Sequence, residues 1–513
     1  MGGSVLAARC GEAGLRTIVL EKGSDPTNLP PKRSLIDKLI GTHDPRGGER
    51  WPAELLLRRS EGSAARPASP ILGIGPGGSA RIYGSALGRA QRADFENDFQ
   101  PLQWDDAADE QALPNGWPTA YSEMLADYRE AEGVLGLVGT HDPLDPDDDA
   151  QLGMPPELSP AHEEIVERLR ANGRHPYRMH VGIAYKPGCT ECQGVTCPRD
   201  CKAHGFNRAL VPAMERQAPV SLEKGVTLSS VEKGANGEWR VTYDDGTGEE
   251  VSVAAPKLVL AAGALNTPRI IEAFPALTGG SVPPLVGRGL MFHSSEIFAV
   301  TPSDPDALYG QRKVLAFRDH YLDKGMPMAE CQSLGMVGKA GMIAEFLNNR
   351  ARLAGLDLGR VGKLAMRPVG MIAEQQFAGS ELFTAALQDL PYSDNRVTTE
   401  TDSEGNDRIA ITYRARDEMK QRVLRFRELM KDAFAPLPVR FLSPAGEPNL
   451  GHPMGTCRMG TSPEHSVVDG DGQVWGQEGL YIADASVFAS SLGINPALTV
   501  AALALRTARR ITG

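Results

Sequence analysis

The chain has 513 residues and a mass of 55.0 kDa. This exceeds the size at which a single hydrophobic core keeps growing, so we expect two or more domains, or one large interrupted domain. The formal net charge is -11 and no run of Lys or Arg suggests a surface for phosphates, which argues against a nucleic-acid partner. No stretch approaches the ~20 apolar residues that span a bilayer, and no secretory signal is visible. We therefore expect a cytoplasmic protein without a membrane span.

The first 23 residues are typical of the second half of a βαβ unit. A helix starts after Gly2 and Gly3, and the apolar strand RTIVL ends just before Glu21. In a dinucleotide-binding unit, an acidic residue about 20 positions after the glycine turn accepts a hydrogen bond from a ribose hydroxyl. Glu21 has this spacing, whereas the first strand and the opening glycines of the fingerprint would have to precede Met1.

Loops, helices and short strands then alternate along the chain. Residues 24–70 are rich in Pro and Arg and predict an irregular excursion, and apolar periodicity predicts an amphipathic helix within 116–137. Residues 206–300 return to short strands, one of which ends in AAGA. A long helix is predicted over 416–434, and the last seventy residues contain the strand LYIADAS and the helix PALTVAALALRTARRI. This interleaving predicts an α/β fold.

Six blocks, in this order, resemble the glucose-methanol-choline (GMC) oxidoreductases, which are FAD-dependent alcohol oxidases and dehydrogenases. They are GGSVLAARCGEAGLRTIVLEKG, GPGGSARIYGSALGRAQRADFE, LAAGALNTPRII, VGRGLMFH, GHPMGTCRMG and YIADASVFASSLGINPALTVAALALRTARRI. The resemblance implies a Rossmann-like FAD-binding domain and an interleaved α+β substrate domain with an antiparallel sheet. The FAD domain would comprise residues 1–95, 206–297 and 446–513, and the substrate domain residues 96–205 and 298–445.

The resemblance places the catalytic histidine of the family at His452 and its His or Asn partner at Asn495. Oxidising an alcohol requires a base for the hydroxyl proton, and a neutral histidine supplies one near pH 7. An amide at Asn495 donates to the forming alkoxide without competing for the proton. The alternatives are a buried histidine that only fills space, and an asparagine that caps the helix before Pro496.

The resemblance also implies a set of residues near the flavin and its phosphates: Gly2, Gly3, Glu21, Gly77, Gly78, Ser79, Tyr83, Ala262, Asp484, Ala485, Asn495 and Pro496. Tyr83 stands where many members have Asn. Ile82 occupies a position where some members carry a histidine that bonds to the flavin. We therefore expect FAD to be bound non-covalently.

Four cysteines, Cys189, Cys192, Cys197 and Cys201, form the pattern C-x2-C-x4-C-x3-C. Such spacing permits zinc or iron-sulfur ligation, local disulfides or reduced thiols. The loop 189–201 resembles, in place and cysteine density, the cluster-bearing insert of FAD-dependent sugar dehydrogenases, which favours an iron-sulfur cluster over zinc. A cluster would pass electrons to an acceptor protein.

Together these features predict the oxidation of an alcohol or sugar hydroxyl to a carbonyl, with hydride transfer to flavin. A flavin-containing lyase of the same family remains an alternative, as does an inactive, flavin-free chain. Residues 301–440 carry no motif that identifies the substrate.

Overall fold

The computed structural model describes residues 1–24, 54–96, 99, 113–336 and 359–513, together with positions 343, 344, 347, 351 and 356. In these residues the α-helices are α1 Gly2–Glu12, α2 Arg92–Glu96, α3 Tyr121–Leu135, α4 Pro160–Ala171, α5 Val211–Glu215, α6 Thr267–Ala273, α7 Gly359–Phe377, α8 Asp417–Phe434 and α9 Ala497–Thr512. Within this part of the chain, each helix is too short or too polar to cross a membrane.

The strands are β1 Thr17–Glu21, β2 Leu55–Arg58, β3 Arg66–Ala68, β4 Tyr177–Arg178, β5 Val220–Lys224, β6 Thr227–Lys233, β7 Trp239–Asp244, β8 Glu250–Ala255, β9 Leu258–Leu260, β10 Ser294–Val300, β11 Leu315–Phe317, β12 Leu322–Asp323, β13 Met326–Pro327, β14 Cys331–Ser333, β15 Glu381–Leu387, β16 Arg396–Thr401, β17 Asp407–Thr412, β18 Val439–Phe441 and β19 Leu480–Ile482.

Two parallel strand pairs and the helices beside them form the α/β part of the molecule. β1 pairs with β5, and β9 pairs with β19. Helix α9 carries small and apolar residues on most of its surface and packs against both α1 and α3. The Tyr128 hydroxyl lies 2.8 Å from Thr499 Oγ1 and ties α3 to α9 inside this core. The predicted α/β organisation is confirmed, and the predicted helix within 116–137 is α3.

A six-stranded sheet in the order β18-β10-β15-β14-β11-β4 forms the second part, and all its pairs are antiparallel. Helix α8 packs on this sheet through a cluster of aromatic rings. Phe434 on α8 contacts Phe298, Phe317 and Phe383, with ring centroids 4.9–5.8 Å apart. The antiparallel sheet expected from the resemblance is therefore present, and its core is distinct from that around α9.

Two regions differ from the sequence-based expectation. Described residues in the predicted irregular excursion form β2 and β3, and β2 pairs in parallel with β17. The side chains of β2 alternate between buried and half-buried, but the partner strand lies about 350 residues away, so a local pattern does not reveal the pairing. The 19-residue helix α7 was also not predicted.

Phe434→Ala should destabilise the protein strongly, because Phe434 is fully buried within the aromatic cluster. Replacing a buried Phe by Ala costs about 3–5 kcal/mol. We expect a clear fall in the thermal melting temperature. Leu424→Ala on the same helix is the matched control, since Leu424 is 48% exposed and should tolerate truncation. Equal losses in the two variants would contradict this packing of α8.

Candidate active site

His452 lies in a loop that is held against the start of β10. Its backbone N–H donates to Asn449 O at 3.1 Å, and the N–H of Asn449 donates to His293 O at 2.7 Å. Met454 and Met291 then form a pair of backbone hydrogen bonds of 3.0 Å each. A side chain at Gly455 would meet Met291 Cε at 2.5 Å and Gly289 O at 2.7 Å, and φ there is +85°. The glycine therefore permits the close approach that fixes the loop beside His293.

The His452 ring contacts the ring of His293, whose Nδ1 lies 3.0 Å from His452 Nδ1. His293 Nε2 lies 2.9 Å from Ser491 O and 3.1 Å from Leu492 O. Carbonyl oxygens only accept, so Nε2 of His293 carries its proton and Nδ1 of the neutral ring is an acceptor. The proton between the two rings therefore belongs to His452 Nδ1. This leaves Nε2 of His452 with a free lone pair.

Both histidines are neutral at and around pH 7. Desolvation, with a smaller contribution from His293, lowers the pKa of His452 from the ordinary 6.5 to about 3. Desolvation also lowers the pKa of His293 to about 4, although the two carbonyls oppose this shift. Among the described residues, His452 Nε2 has no protein hydrogen-bond partner, and the side chain is half-buried. An unprotonated nitrogen thus remains available to a small molecule.

Asn495 lies three residues beyond the Leu492 carbonyl, just before α9. Its Oδ1 accepts a short hydrogen bond from Nε2 of Gln332, a residue of β14. With the amide oxygen occupied, the Asn495 NH₂ group is left to donate elsewhere. Gln332 is buried and its Oε1 has no partner, so this corner also contains an unsatisfied acceptor. The loop 491–495 thus contains Asn495, and its first two carbonyls bind His293, the hydrogen-bond partner of His452.

The residues predicted to contact FAD gather at the carboxyl ends of the parallel strands. Glu21 ends β1, and its Oε1 accepts from the N–H of Gly23 at 2.7 Å; burial raises its pKa. A Cβ on Gly2 would lie 2.1 Å from Ala483 O. Helix α1 therefore begins directly against the end of β19.

The glycine loop lies beside this helix start. Gly77 and Gly78 have φ of +96° and +55°, and the Ser79 hydroxyl accepts from the N–H of Gly73 at 3.1 Å. A Cβ on Gly77 would lie 3.1 Å from His204 Nδ1, whereas Gly78 faces open space. The Tyr83 hydroxyl donates a short hydrogen bond to Ala203 O.

Asp484 is bound by protein groups rather than solvated. Its Oδ2 accepts from the Gly263 N–H at 2.9 Å and the Thr267 hydroxyl at 2.5 Å, and its Oδ1 accepts from the Ser486 N–H at 2.7 Å. It therefore joins the turns that follow β9 and β19. Ala262 is exposed in the first turn, Ala485 lies in the second, and Pro496 caps α9.

These observations fit a dinucleotide at the strand ends. A Cβ on Gly263 would meet nothing within 4 Å, as at Gly78, so the backbone is open at both glycines. The N-terminus of the 11-residue helix α1 has no side-chain cap, and helix N-termini bind phosphates. An acidic residue stands at the end of β1, where a ribose would lie.

The metal prediction for the four cysteines is not supported. Among the described residues, no group of three or more His, Cys, Asp or Glu side chains is arranged to hold a metal ion. All four cysteines are free thiols. Their sulfurs contact protein groups instead: Cys192 Sγ lies 3.5 Å from the Thr190 hydroxyl, and Cys197 Sγ accepts from the Cys201 N–H at 3.3 Å.

Sequence reasoning assigned no role to His293 or to Gln332. His293 is the last residue of the block VGRGLMFH, so its position was visible as part of the resemblance, but its pairing with His452 was not. Gln332 lies in a region without any motif.

Comparisons with known proteins show what the chain is similar to. Residues 391–504 match the family model described as GMC oxidoreductase. 6'''-hydroxyparomomycin C oxidase of Streptomyces lividus is 27% identical over 99% of this chain and 89% of its own length, and paromamine 6'-oxidase of Streptomyces fradiae is 26% identical over 100% and 89%. The crystal structure of pyridoxine 4-oxidase from Mesorbium loti superposes with a TM-score of 0.60 at 19% identity, covering 99% of this chain and 97% of that one. The C-terminal part of the chain therefore matches the GMC oxidoreductases, and over nearly its whole length the chain is similar to oxidases.

Proposed function

We propose that this protein oxidises an alcohol or sugar hydroxyl to a carbonyl, with His452 as the base and FAD as the hydride acceptor. The observation that supports this most directly is the hydrogen-bonded pair of neutral histidines. The Ser491 and Leu492 carbonyls fix the proton on His293, and His293 in turn fixes the proton on His452 Nδ1. Nε2 of His452 is then an acceptor before any substrate arrives.

In the proposed reaction, a substrate hydroxyl donates its proton to His452 Nε2. The resulting imidazolium keeps its Nδ1–H bond to His293 Nδ1, and this bond strengthens once its donor is charged. His293 therefore holds the ring in place and stabilises the charge without itself touching the substrate. Removing the hydroxyl proton makes the carbon a far better hydride donor.

In the proposed reaction, Asn495 donates a hydrogen bond to the oxygen of the same substrate. Because Gln332 occupies its Oδ1, its NH₂ group is left to donate to the oxygen on which negative charge develops. Such a pre-oriented donor stabilises an alkoxide without the cost of reorientation. Gln332 is thus a positioning residue for Asn495, as His293 is for His452.

FAD, when bound, supplies the hydride acceptor. We propose that the start of α1 at Gly2 and Gly3 holds its phosphates, that Glu21 binds a ribose hydroxyl, and that the glycine loop lies along the flavin side. The division into an FAD domain (1–95, 206–297 and 446–513) and a substrate domain (96–205 and 298–445) belongs to this proposal.

The substrate class follows from the relatives rather than from the site. Two relatives that align over nearly the whole chain are named as oxidases of aminoglycosides, which are polyhydroxylated amino sugars. We propose a sugar-like hydroxyl as substrate and molecular oxygen as the final electron acceptor. An acceptor protein would replace oxygen if the cysteine loop held an iron-sulfur cluster.

His452→Ala should lower the rate of substrate-dependent flavin reduction about 100-fold or more, the scale of a positioned general base. The rate is measured by anaerobic stopped-flow bleaching with a panel of aminoglycosides, sugars and simple alcohols. His465→Ala, at an exposed histidine, is the matched control and should keep the parental rate. An FAD-loaded His452→Ala variant with unchanged kinetics would contradict the assignment. Product formation without any bleaching would instead support the lyase alternative.

His293→Leu should reduce the same rate constant by about 10-fold or more with little change in KM, because the base loses the acceptor that fixes its tautomer. In the parent, the low pKa of His452 predicts a rate that stays flat between about pH 5 and 8. His293→Gln, which retains an acceptor oxygen, should recover part of the rate. A normal kcat in a folded, FAD-loaded His293→Leu variant would refute the positioning role.

Acid precipitation should release all the flavin from the purified protein, since Ile82 offers no nucleophile for a covalent link. The measurement is the absorption spectrum of the supernatant and of the pellet after precipitation. A yellow pellet would show a covalent attachment at another residue. Purified protein with no flavin spectrum at all would favour the inactive alternative.

A further inference from the structure

The two carbonyls that bind His293 belong to Ser491 and Leu492, and the side chain of Ser491 is anchored by Asp389, which directly follows β15 and Gln388. Ser491 Oγ accepts from the N–H of Asp389 at 2.6 Å. Asp389 O lies 3.2 Å from the same hydroxyl, within donating distance. Both residues are buried. The acceptor side of the His293 contact is therefore fixed to the backbone of Asp389.

The carboxyl group of Asp389 binds the donor side of the same contact. Its Oδ2 accepts from the N–H of Phe292, the residue before His293, at 3.0 Å and from the Tyr413 hydroxyl at 2.8 Å. Its Oδ1 accepts from the N–H of Leu390 at 2.9 Å. Asp389 thus ties the segment that carries His293 to the loop that carries the carbonyl acceptors of this histidine.

The neutral His293–His452 pair has two possible proton arrangements, and only one leaves His452 Nε2 free to act as a base. In the first tautomer pair, His293 carries its proton on Nε2 and His452 on Nδ1. In the second, His293 donates from Nδ1, and His452 then carries its proton on Nε2. The carbonyls at His293 Nε2 select the first pair, because an unprotonated nitrogen there would face two further acceptors. Whatever holds these carbonyls in place therefore controls the base.

The rest of the loop 491–495 has anchors of its own. The N–H of Gly493 donates to the Tyr321 hydroxyl at 3.0 Å, and the N–H of Glu330 donates to Gly493 O at 2.9 Å. Asn495 is held separately, through its own amide oxygen. Loss of the Ser491 contact should therefore loosen the two carbonyls and leave the Asn495 amide in place.

We propose that Asp389 and the Ser491 hydroxyl are positioning residues for His452, on which they act through His293. Asp389 fixes the separation between His293 and the two carbonyls, and the carbonyls keep the His293 proton on Nε2. His452 is then held in the tautomer whose Nε2 accepts a proton. This inference rests on the proposed function, since it takes His452 as the base, but the tautomers can be measured without any substrate.

Nitrogen NMR of the full chain, labelled with ¹⁵N-histidine, tests the inference directly. The chemical shift of each ring nitrogen reports whether it is protonated, and His293→Gln and His452→Gln assign the signals. In the parent we expect protons on His293 Nε2 and His452 Nδ1. In Ser491→Ala we expect a second population with protons on His293 Nδ1 and His452 Nε2. Unchanged tautomers in a folded Ser491→Ala variant, or a parent already in the second arrangement, would overturn the proposal.

Ser490→Ala is the matched control, because Ser490 is buried in the adjacent position but its Oγ accepts from Trp117 Nε1 at 2.9 Å. Both serine variants should lose some thermal stability, but Ser490→Ala should keep the parental tautomers and rate of flavin reduction. Ser491→Ala should lower that rate about 5- to 10-fold with little change in KM, the scale of one buried hydrogen bond. Equal effects of the two variants on the tautomers would contradict the proposal.

Substitutions at Asp389 give a second, independent comparison. Asp389→Ala should shift the tautomers as Ser491→Ala does, whereas Asp389→Asn, which keeps an oxygen for the Phe292 N–H, should recover most of the rate. Should Asp389→Ala fail to fold, the two serine variants decide the question by themselves. Failure of the proposed function has a different signature, namely parental flavin reduction in His452→Ala whatever the tautomers.

Discussion

The hydrogen bond between Nδ1 of His293 and Nδ1 of His452 is the constraint on which the candidate site depends. When two neutral imidazole rings share one proton between their Nδ1 atoms, their Nε2 atoms differ: one carries a proton and the other does not. The far nitrogen of His293 must donate, and the Ser491 and Leu492 carbonyls accept from it. The far nitrogen of His452 must accept, and among the described residues no protein donor meets it. The backbone of the loop 491–492 therefore determines the protonation of His452 through His293.

Asn495 follows the same principle with a different functional group. An asparagine beside a substrate could present its oxygen or its NH₂ group, and only the second favours an alkoxide. Gln332 fixes the orientation of this amide, because its Nε2 donates to Asn495 Oδ1. In both cases a neighbouring residue forms a hydrogen bond with one polar atom of the side chain. This decides whether the other polar atom donates or accepts. Desolvation adds to this effect, since it lowers the pKa of His452 and so keeps the imidazole neutral.

The sequence predicts the residues that would face the substrate better than those that orient them. His452 and Asn495 belong to compact blocks whose glycines and prolines are visible in a few positions. Their partners are separated from them in the chain by 159 and 163 residues, respectively, and are joined only when β10 and β14 pack against the loops. The pairing of β2 with β17 was missed for the same reason. Local elements such as α3, α8 and α9 were predicted because their apolar periodicity lies within one segment.

The cysteine loop shows the complementary limit. Its spacing permits four sulfurs to converge, and a metal is one consequence of convergence. The spacing does not show the backbone: the Cys201 N–H donates to the Cys197 sulfur at 3.3 Å, in a turn where Asp200 has φ +53°. A cysteine pattern therefore indicates which sulfurs could converge and leaves open which protein groups contact them, just as the block around His452 leaves open its contact with His293.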